Sequence, residues 1–275
     1  MRRTVSAALD EAAAAIGRVD ARVLACHLLG VGRAWLAANP MHVLTESQDA
    51  QFDSLVSRRA MGYPVAYLVG TREFYGRDFA VGPAVLIPRP ETETLVEAAL
   101  GRLPPGGAVL DLGTGSGAVA VTLACERPEA TVHAVDSSAD ALAVARANAA
   151  RHGAKVEFAR GSWYSPVAGQ RFDVVVANPP YVAAGDHHLA EGDLRFEPGA
   201  ALTDGSVDGL DSVRAIVSGA PAHLKPGGWL LVEHGYDQAA VCEALFAAAG
   251  FTDLVTIADL AGIPRVAGGR QWPPR

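Results

Sequence analysis

Apolar residues in the first part of the chain recur at three- and four-residue steps. Val23, Leu24, Leu28 and Leu29 form one such set, and Phe52, Leu55 and Val56 another. This spacing predicts helices. Gly30, Gly32 and Asn39-Pro40 interrupt it, so residues 4–61 are expected to form a small bundle of short helices, the last from about Glu46 to Met61. The pattern changes over 64–87, where Tyr67, Val69, Phe74, Tyr75, Phe79, Val81 and Val85 lie between Gly70, Gly76 and Gly82. Aromatic and β-branched runs punctuated by glycine predict a β-hairpin. From residue 89 onward, strand and helix patterns alternate. Strands are expected at 108–112, 131–136, 155–159, 172–177, 228–234 and 252–258, and helices at 91–101, 117–127, 138–152, 209–223 and 237–249. Repeated β-α units imply a mainly parallel, Rossmann-like α/β sheet with helices on both faces. The expected organisation is a helical domain over 1–62, a hairpin linker over 63–88 and an α/β domain over 89–275. The segment 182–208 is the longest expected loop, and a loop of that length in a compact domain is usually functional or mobile.

Composition narrows the classes. Half of the 275 residues are hydrophobic, which supplies a sizeable core and argues against disorder. The net charge of −7 provides no global field for phosphate backbones, so stable nucleic-acid binding is not expected. Arg58, Arg59, Arg72, Arg77 and Arg89 make the N-terminal half locally basic. Solvated surface is the default for them, and a patch for an acidic partner is the alternative. Cys26, Cys125 and Cys242 form no Cys-x-x-Cys pair and read as reduced core thiols. Met1-Arg2-Arg3 before an alanine run faintly resembles an export signal, but Asp10 and Glu11 interrupt the apolar stretch. No run approaches the ~20 apolar residues of a membrane span. A cytoplasmic monomer is expected.

Two loops carry candidate chemistry. Val109-Leu110-Asp111-Leu112 runs into Gly113-Thr114-Gly115-Ser116-Gly117 and then a helix. Glycines allow close backbone approach and positive φ, and a helix N-terminus offers free N–H groups. The loop suits a nucleotide-like cofactor, although a plain strand-to-helix turn is the bland reading. Gly113, Gly115 and Ala118 also fit the dinucleotide fingerprint, so the loop alone does not separate NAD from S-adenosylmethionine. Asp136, closing the second α/β strand, could accept hydrogen bonds from both ribose hydroxyls of either cofactor, or cap the helix that follows, a task open equally to Ser137 or Ser138.

The second loop, Asn178-Pro179-Pro180-Tyr181, follows the strand Phe172–Ala177. In open α/β sheets ligands bind beyond the carboxyl ends of strands, so both loops are expected to line one crevice. The residue types suit transfer to a planar, amide-like nitrogen, whose lone pair is delocalised. The Asn178 side-chain oxygen and the Pro179 carbonyl could accept its two N–H groups and direct the lone pair toward a methyl donor. Prolines stiffen the backbone and bring no competing N–H, and Tyr181 offers a flat face to a planar group. Catalysis would be mostly positioning. A Pro-rich turn begun by Asn is the bland reading.

The chain resembles the protein-(glutamine-N5) methyltransferase family that modifies peptide chain release factors. The resemblance runs over nearly the whole length. It covers Pro64 to Gly70, Arg72-Glu73-Phe74, Leu86 to Glu93, Asp111 to Gly117, Asp136, Asn178 to Tyr181, Glu197-Pro198, Asp208-Gly209-Leu210 and the Asp259, Gly262, Arg265 set. It implies a class I methyltransferase domain that uses S-adenosylmethionine and releases S-adenosylhomocysteine. It further implies cofactor binding by Gly113, Thr114, Gly115, Ser116, Gly117, Asp136, Trp163 and Asn178. Asn178, Pro179, Pro180 and Tyr181 would hold the substrate, with Asn178, Pro179 and Tyr181 catalytic. The substrate would be the glutamine of the release factor's Gly-Gly-Gln loop, with the N-terminal helices recognising the factor. Glu91, where many relatives have Asp, and Ser206, where a second Gly is usual, depart from the pattern. Gly268-Gly269-Arg270-Gln271 is not the substrate motif, because Arg270 interrupts it.

Other readings compete. Trp163 alone reads equally as core. His187-His188 lack a third ligand and read as solvated loop, so no metal is expected. Ser116 lacks the Gly-x-Ser-x-Gly spacing of a hydrolase. The rival enzyme is an N-methyltransferase for an exocyclic amine of a DNA or RNA base, since the Asn-Pro-Pro-Tyr run is shared with such enzymes. A non-catalytic cofactor-binding protein would not require that run intact, and an NAD-dependent oxidoreductase would want a second nucleotide-binding half.

Overall fold

The computed structural model describes residues 3–272, apart from the side chain of His188. Met1, Arg2 and that histidine side chain, on which two of the readings above touch, lie outside the described residues. The chain divides into two compact units. The first holds the chain up to Thr71 together with Glu191–Phe196, and the second holds Arg72–Ala190 and everything from Glu197.

The first unit contains α1 (Val5–Ile16), α2 (Arg18–Leu29), α3 (Arg33–Ala38), α4 (Glu46–Ala60) and α5 (Val65–Val69). Local chemistry sets the ends. Thr4 accepts from Ala7 N at the start of α1, and Thr45 and Gln48 form a reciprocal capping box on α4. Gly30, at φ 64, closes α2 in the left-handed region. Leu24, Leu36, Leu44 and Phe52 fill the core. Arg3 pairs with Glu11, Asp49 and Asp53, and Arg59 pairs with Asp20 and with Asp193 of the returning segment.

Helix α5 lies where the hairpin was expected to start. Its β-branched residues favour a strand, but Pro64 and Gly70 bound one helical turn, and Leu68 packs into the helical core. Packing outweighs strand propensity here. The hairpin is shorter than expected, β1 (Thr71–Phe74) and β2 (Arg77–Ala80). Tyr75 and Gly76 turn it with φ of 52° and 72°, the two positive angles of a type I′ turn.

The second unit continues with α6 (Glu93–Leu100), β3 (Ala108–Leu112), α7 (Ala118–Glu126), β4 (Thr131–Asp136), α8 (Ala139–His152), β5 (Val156–Arg160) and β6 (Phe172–Ala177). It ends with α9 (Gly199–Leu202), α10 (Asp211–His223), β7 (Leu224–Glu233), α11 (Ala239–Ala248), β8 (Phe251–Ala258) and β9 (Pro264–Gln271). The strands form one seven-stranded sheet in the order β5-β4-β3-β6-β7-β9-β8. All neighbours from β5 to β7 are parallel, and β9 runs antiparallel to both β7 and β8. Alternate strand residues face opposite cores. Val109, Val174 and Val176 pack with Leu95 and Leu123 on one side; Leu110, Val175 and Ala177 pack with Ile216 and Phe246 on the other. Burial on both faces explains the continuous apolar runs of these strands.

Strand β9 is absent from the sequence expectations, because Pro264, Arg265, Gly268 and Gly269 break any alternation. The glycines are needed where they stand. A Cβ on Gly268 would lie 2.6 Å from Leu231 Cδ2, and one on Gly269 2.8 Å from Phe251 Cβ. Gly268 and Gly269 are therefore close-packed in a strand that lies between β7 and β8. No helix among the described residues is long and apolar enough to cross a membrane.

Candidate active site

Strand register determines where the two candidate loops emerge. Leu112 at the end of β3 pairs with Val135 of β4 on one side and with Ala177 of β6 on the other. The residues that follow, Gly113, Asp136 and Asn178, therefore leave the sheet on one rim. A cleft of about 480 Å³ opens there, and it is lined by Gly113–Ser116, Asp136, Trp163, Asn178 and Pro180 together with Asp111 and Thr92. Gly117, Pro179 and Tyr181 belong to the same two loops but are not among the lining residues.

The glycine loop is shaped by its own backbone. Gly113, Gly115 and Gly117 have φ of 73°, 55° and 80°, which side chains with a Cβ adopt at a cost. A Cβ on Gly117 would also press on Ala145 Cβ at 3.1 Å. Gly113 N and Thr114 N donate to Val135 O at 2.8 and 3.0 Å. The Asp136 carboxylate accepts from Gly115 N and from Ser138 N, each at 2.9 Å. Ser138, not Asp136, caps α8, since its hydroxyl accepts from Ala141 N at 3.1 Å. Each Asp136 oxygen keeps acceptor capacity toward the cleft. Asn148, fully buried on α8, donates to Ser116 O and to Ala80 O and accepts from Ala80 N, which ties the loop to the hairpin.

Two further residues define this half. Asp111 is 2% exposed and accepts from Thr114 Oγ1 at 2.6 Å. Burial pushes its carboxyl up to about 7, against the opposing Thr114 bond. Such a group at the floor of a cleft suits a cationic ligand atom. Trp163 has φ 44, an uncommon conformation for a bulky residue. Its ring is 3.6 Å from the place of a Gly113 Cβ and also packs on the α10–α11 core. Trp163 is thus packed on the core and at the same time part of the cleft lining.

The Asn-Pro-Pro-Tyr loop is held from outside. Asn178 Nδ2 donates to Thr92 Oγ1 at 3.2 Å. Tyr181 Oη donates to Glu233 Oε1 at 3.4 Å. Gln238 Nε2 donates to Tyr181 O at 3.0 Å and to Asp208 O at 3.1 Å, while its Oε1 accepts from Gly235 N at 2.8 Å. Gly209, at φ 68, leaves room for the same turn, since a Cβ there would sit 2.2 Å from Tyr181 O. Buried Glu197 accepts from Ile87 N at 2.9 Å and from Arg89, and so fixes the segment that roofs one side of the cleft. Asp259 closes the β8–β9 turn through Ala261 N, Ile263 N and Arg265 Nε, and the Arg265 charge acts on Tyr181 and Glu233.

Thr92, Asp111, Glu233 and Gln238 are the site residues to which the sequence reading gave no role, although Thr92 and Asp111 lie inside quoted segments. Glu233 had a signal. It ends the apolar run Trp229–Val232, and a carboxylate at the carboxyl end of a core strand calls for a reason. Gln238 carried none, because the partners that tie it to the second loop, Tyr181 O and Asp208 O, are 57 and 30 positions away. His187 lies exposed beside Asp186 at 3.6 Å, away from the cleft lining.

Known proteins resemble this chain both in sequence and in fold. Residues 1–70 match the PrmC N-terminal domain, and residues 91–194 match the Methyltransferase small domain. A release factor glutamine methyltransferase of Xylella fastidiosa is 51% identical over 267 residues, which cover 96% of this chain and 97% of that one. Among solved structures, a methyltransferase from Pyrococcus furiosus aligns with a TM-score of 0.56 at 19% identity, over 79% of this chain and 98% of that one. The 16S rRNA N2 G1207 methyltransferase of T. thermophilus, solved with AdoMet and guanosine, aligns with a TM-score of 0.54 at 23% identity, over 73% of this chain and 49% of that one. At such identities these two structures speak for the Rossmann-like class I methyltransferase fold alone. The Xylella relative shares half its residues with this chain almost end to end, and on that ground the chain belongs to the release factor glutamine methyltransferase family.

Proposed function

We propose that this chain transfers the methyl group of S-adenosylmethionine to the side-chain N5 of the glutamine in the Gly-Gly-Gln loop of a peptide chain release factor, in the cytoplasm. The carrying observation is the Asn178 amide. Its NH₂ is turned to Thr92, so its Oδ1 is the end available to accept a substrate N–H at the cleft. S-adenosylmethionine supplies a methyl group on a sulfonium, and S-adenosylhomocysteine leaves.

The residues present fit that group. Asp136 would take the ribose hydroxyls, the loop 113–117 would pass beneath the methionine portion, and Trp163 would face the adenine. The Asp111 carboxylate would meet the ammonium. Asn178 Oδ1 and the Pro179 carbonyl would hold the two N5 hydrogens, which orients the nitrogen lone pair. Tyr181 and Pro180 would flank the planar amide. Bonding to the transferred methyl would leave N5 with one surplus proton, which would pass to water. The helical unit would bind the body of the factor.

The test supplies labelled S-adenosylmethionine with a release factor, its Gln→Ala loop variant, and DNA and RNA oligonucleotides. Label on the intact factor alone is expected. Label on a nucleic acid and none on the factor would favour base methylation instead.

A further inference from the structure

The helical unit carries a cleft of its own, of about 370 Å³, lined from α1, α2 and α3. Buried Val5 and Leu36 and half-buried Leu9 form its apolar part. Arg18, Arg22 and Arg33 line it too, with Asp10 as the one carboxylate. Arg18 and Arg22 are four positions apart on α2, which puts them on one face, and Arg33 opens α3.

These three guanidiniums differ from the others of the unit. Arg3 pairs with Glu11, Asp49 and Asp53, and Arg59 with Asp20 and Asp193. Arg58 lies over the Tyr63 ring at 4.5 Å, and Arg195 donates to Met61 O. Among the described residues of the unit, Arg18, Arg22 and Arg33 are the arginines without a hydrogen bond, ion pair or ring contact. The basic set expected from the sequence is largely neutralised, since Arg59, Arg77 and Arg89 each pair with a carboxylate. Helix electrostatics does not account for Arg18 either. It is the first residue of α2, after Gly17, which gives no side-chain cap, and a cation there opposes the helix dipole. No interaction within the fold uses the charge gathered at this cleft.

We propose that this cleft docks a segment of the release factor in which carboxylates flank an apolar side chain. The proposal rests on the methyl-transfer reading above, and it names the face and the chemistry by which the helical unit would hold the factor. Guanidinium forks give carboxylates two parallel hydrogen bonds, and an apolar side chain would cover Val5, Leu9 and Leu36. Val19 and Met41 follow the lining residues Arg18 and Pro40 in the chain and are 72% and 73% exposed, so exposed apolar groups adjoin the charged ones. A nucleic-acid backbone fits less well. It would meet the guanidiniums but leave the apolar part and Asp10 unmatched, and a chain of net charge −7 offers it no attraction at longer range.

The test uses the full chain with labelled S-adenosylmethionine and a release factor, comparing wild type with Arg22→Glu, Arg33→Glu and the double variant. Each single reversal should raise KM for the factor about 10-fold, and the double variant about 10²-fold. At saturating factor kcat should stay within about twofold, as should cofactor Kd. In about 0.5 M salt the KM values of wild type and variants should converge, because exposed charges are screened. A second readout needs no turnover. A labelled peptide of alternating glutamate and leucine should bind wild type and fail to bind the double variant, while an RNA oligonucleotide of equal length should not tell the two apart. Should the double reversal fail to fold, the neutral pair Arg22→Gln, Arg33→Gln reads the same cleft. Wild-type KM in a folded double variant, a fall in kcat at unchanged KM, or RNA bound in place of the peptide overturns the proposal. A wild-type enzyme that labels no release factor would instead sink the proposed function, and the peptide would still decide whether the cleft takes acidic segments.

Discussion

The loops after β3 and β6 leave the sheet side by side from register-matched strands, yet they are held differently. The first is shaped by residues within it and by the next strand: three left-handed glycines, two N–H bonds to Val135, and one carboxylate at the end of β4. The second has almost no internal hydrogen bonding and is held from 92, 208–210, 233–238 and 265. Prolines explain the difference. They supply rigidity at 179 and 180 but no N–H, so the fixing donors must come from elsewhere. On the proposed function, the first loop would bind a small molecule and can be local, whereas the second would orient a reacting amide and so needs polar partners with a set direction.

The largest effect expected from this contrast is at Gly209, which touches only the second loop. A Cβ there would fall 2.2 Å from Tyr181 O, on a residue at φ 68. The left-handed conformation alone costs an ordinary residue about 1–2 kcal/mol, and the clash must displace the Tyr181 carbonyl that Gln238 holds. Gly209→Ala should lower kcat by about 10²-fold or more, since displacement by an ångström is enough for that. Cofactor Kd, measured by calorimetry, should move little. A variant that loses cofactor and turnover together would show the two loops to be one mechanical unit.

Asp136→Ala asks the converse question. Asp136 links Gly115 and Ser138 and has acceptor capacity left for a ligand. Hydrogen bonds to a charged group contribute about 1.5–3 kcal/mol each, so cofactor Kd should rise about 10- to 100-fold. kcat at saturating cofactor should stay within severalfold. A fall in kcat with unchanged Kd would move Asp136 out of the cofactor half.

The same contrast governs what was legible in the sequence. Every parallel strand and major helix of the second unit lies within a few residues of its expected bounds, because both signals, apolar runs and glycine punctuation, are local. Gly113–Gly117, Asp136 and Asn178–Tyr181 were legible for the same reason, and strand register then brings them together. Strand β9 was not, since its two glycines answer to Leu231 and Phe251 across the sheet rather than to their neighbours. Helix α5 was read as strand because its residue types favour one. Gln238 was hidden, because hydrogen bonds to carbonyls 30 and 57 positions away leave no spacing pattern. Asp208-Gly209-Leu210 could be quoted as a resemblance, but its steric task required the position of Tyr181.

Both halves place a carboxylate out of water, and this sets a pH trend in stability. Asp111 and Glu233 are pushed by burial from the ordinary carboxylate range up to about 7. For a group whose folded pKa is raised, stability is fully present below the unfolded value near 4 and is lost as pH rises through the folded value. The ligand-free protein should therefore lose stability between about pH 4 and 7 on account of these two groups. Glu233→Gln and Asp111→Asn should each raise Tm at pH 8 by a few degrees, with less gain at pH 5. Scanning calorimetry at the two pH values checks this. Equal or lower Tm for Glu233→Gln at pH 8 would mean that the charge is stabilised in place, and the cost of burying it would not distinguish the second loop.

The smallest effect separates two tasks that are two residues apart in the first loop's support. Ser138 Oγ accepts from Ala141 N, while Asp136 turns its carboxylate to Gly115 N and to the Ser138 backbone. If that division is real, Ser138→Ala removes an N-cap and nothing else. The expected loss is about 1 kcal/mol of stability, read from denaturant unfolding, with cofactor Kd changed by less than about threefold. Asp136→Ala should show the opposite ratio, a large change in Kd and a small one in stability. A Ser138→Ala variant as stable as wild type, beside an Asp136→Ala variant that loses the cap energy, would make Asp136 the cap. The cofactor half would then be held by helix chemistry alone, and the first loop would need a different hydroxyl-binding group.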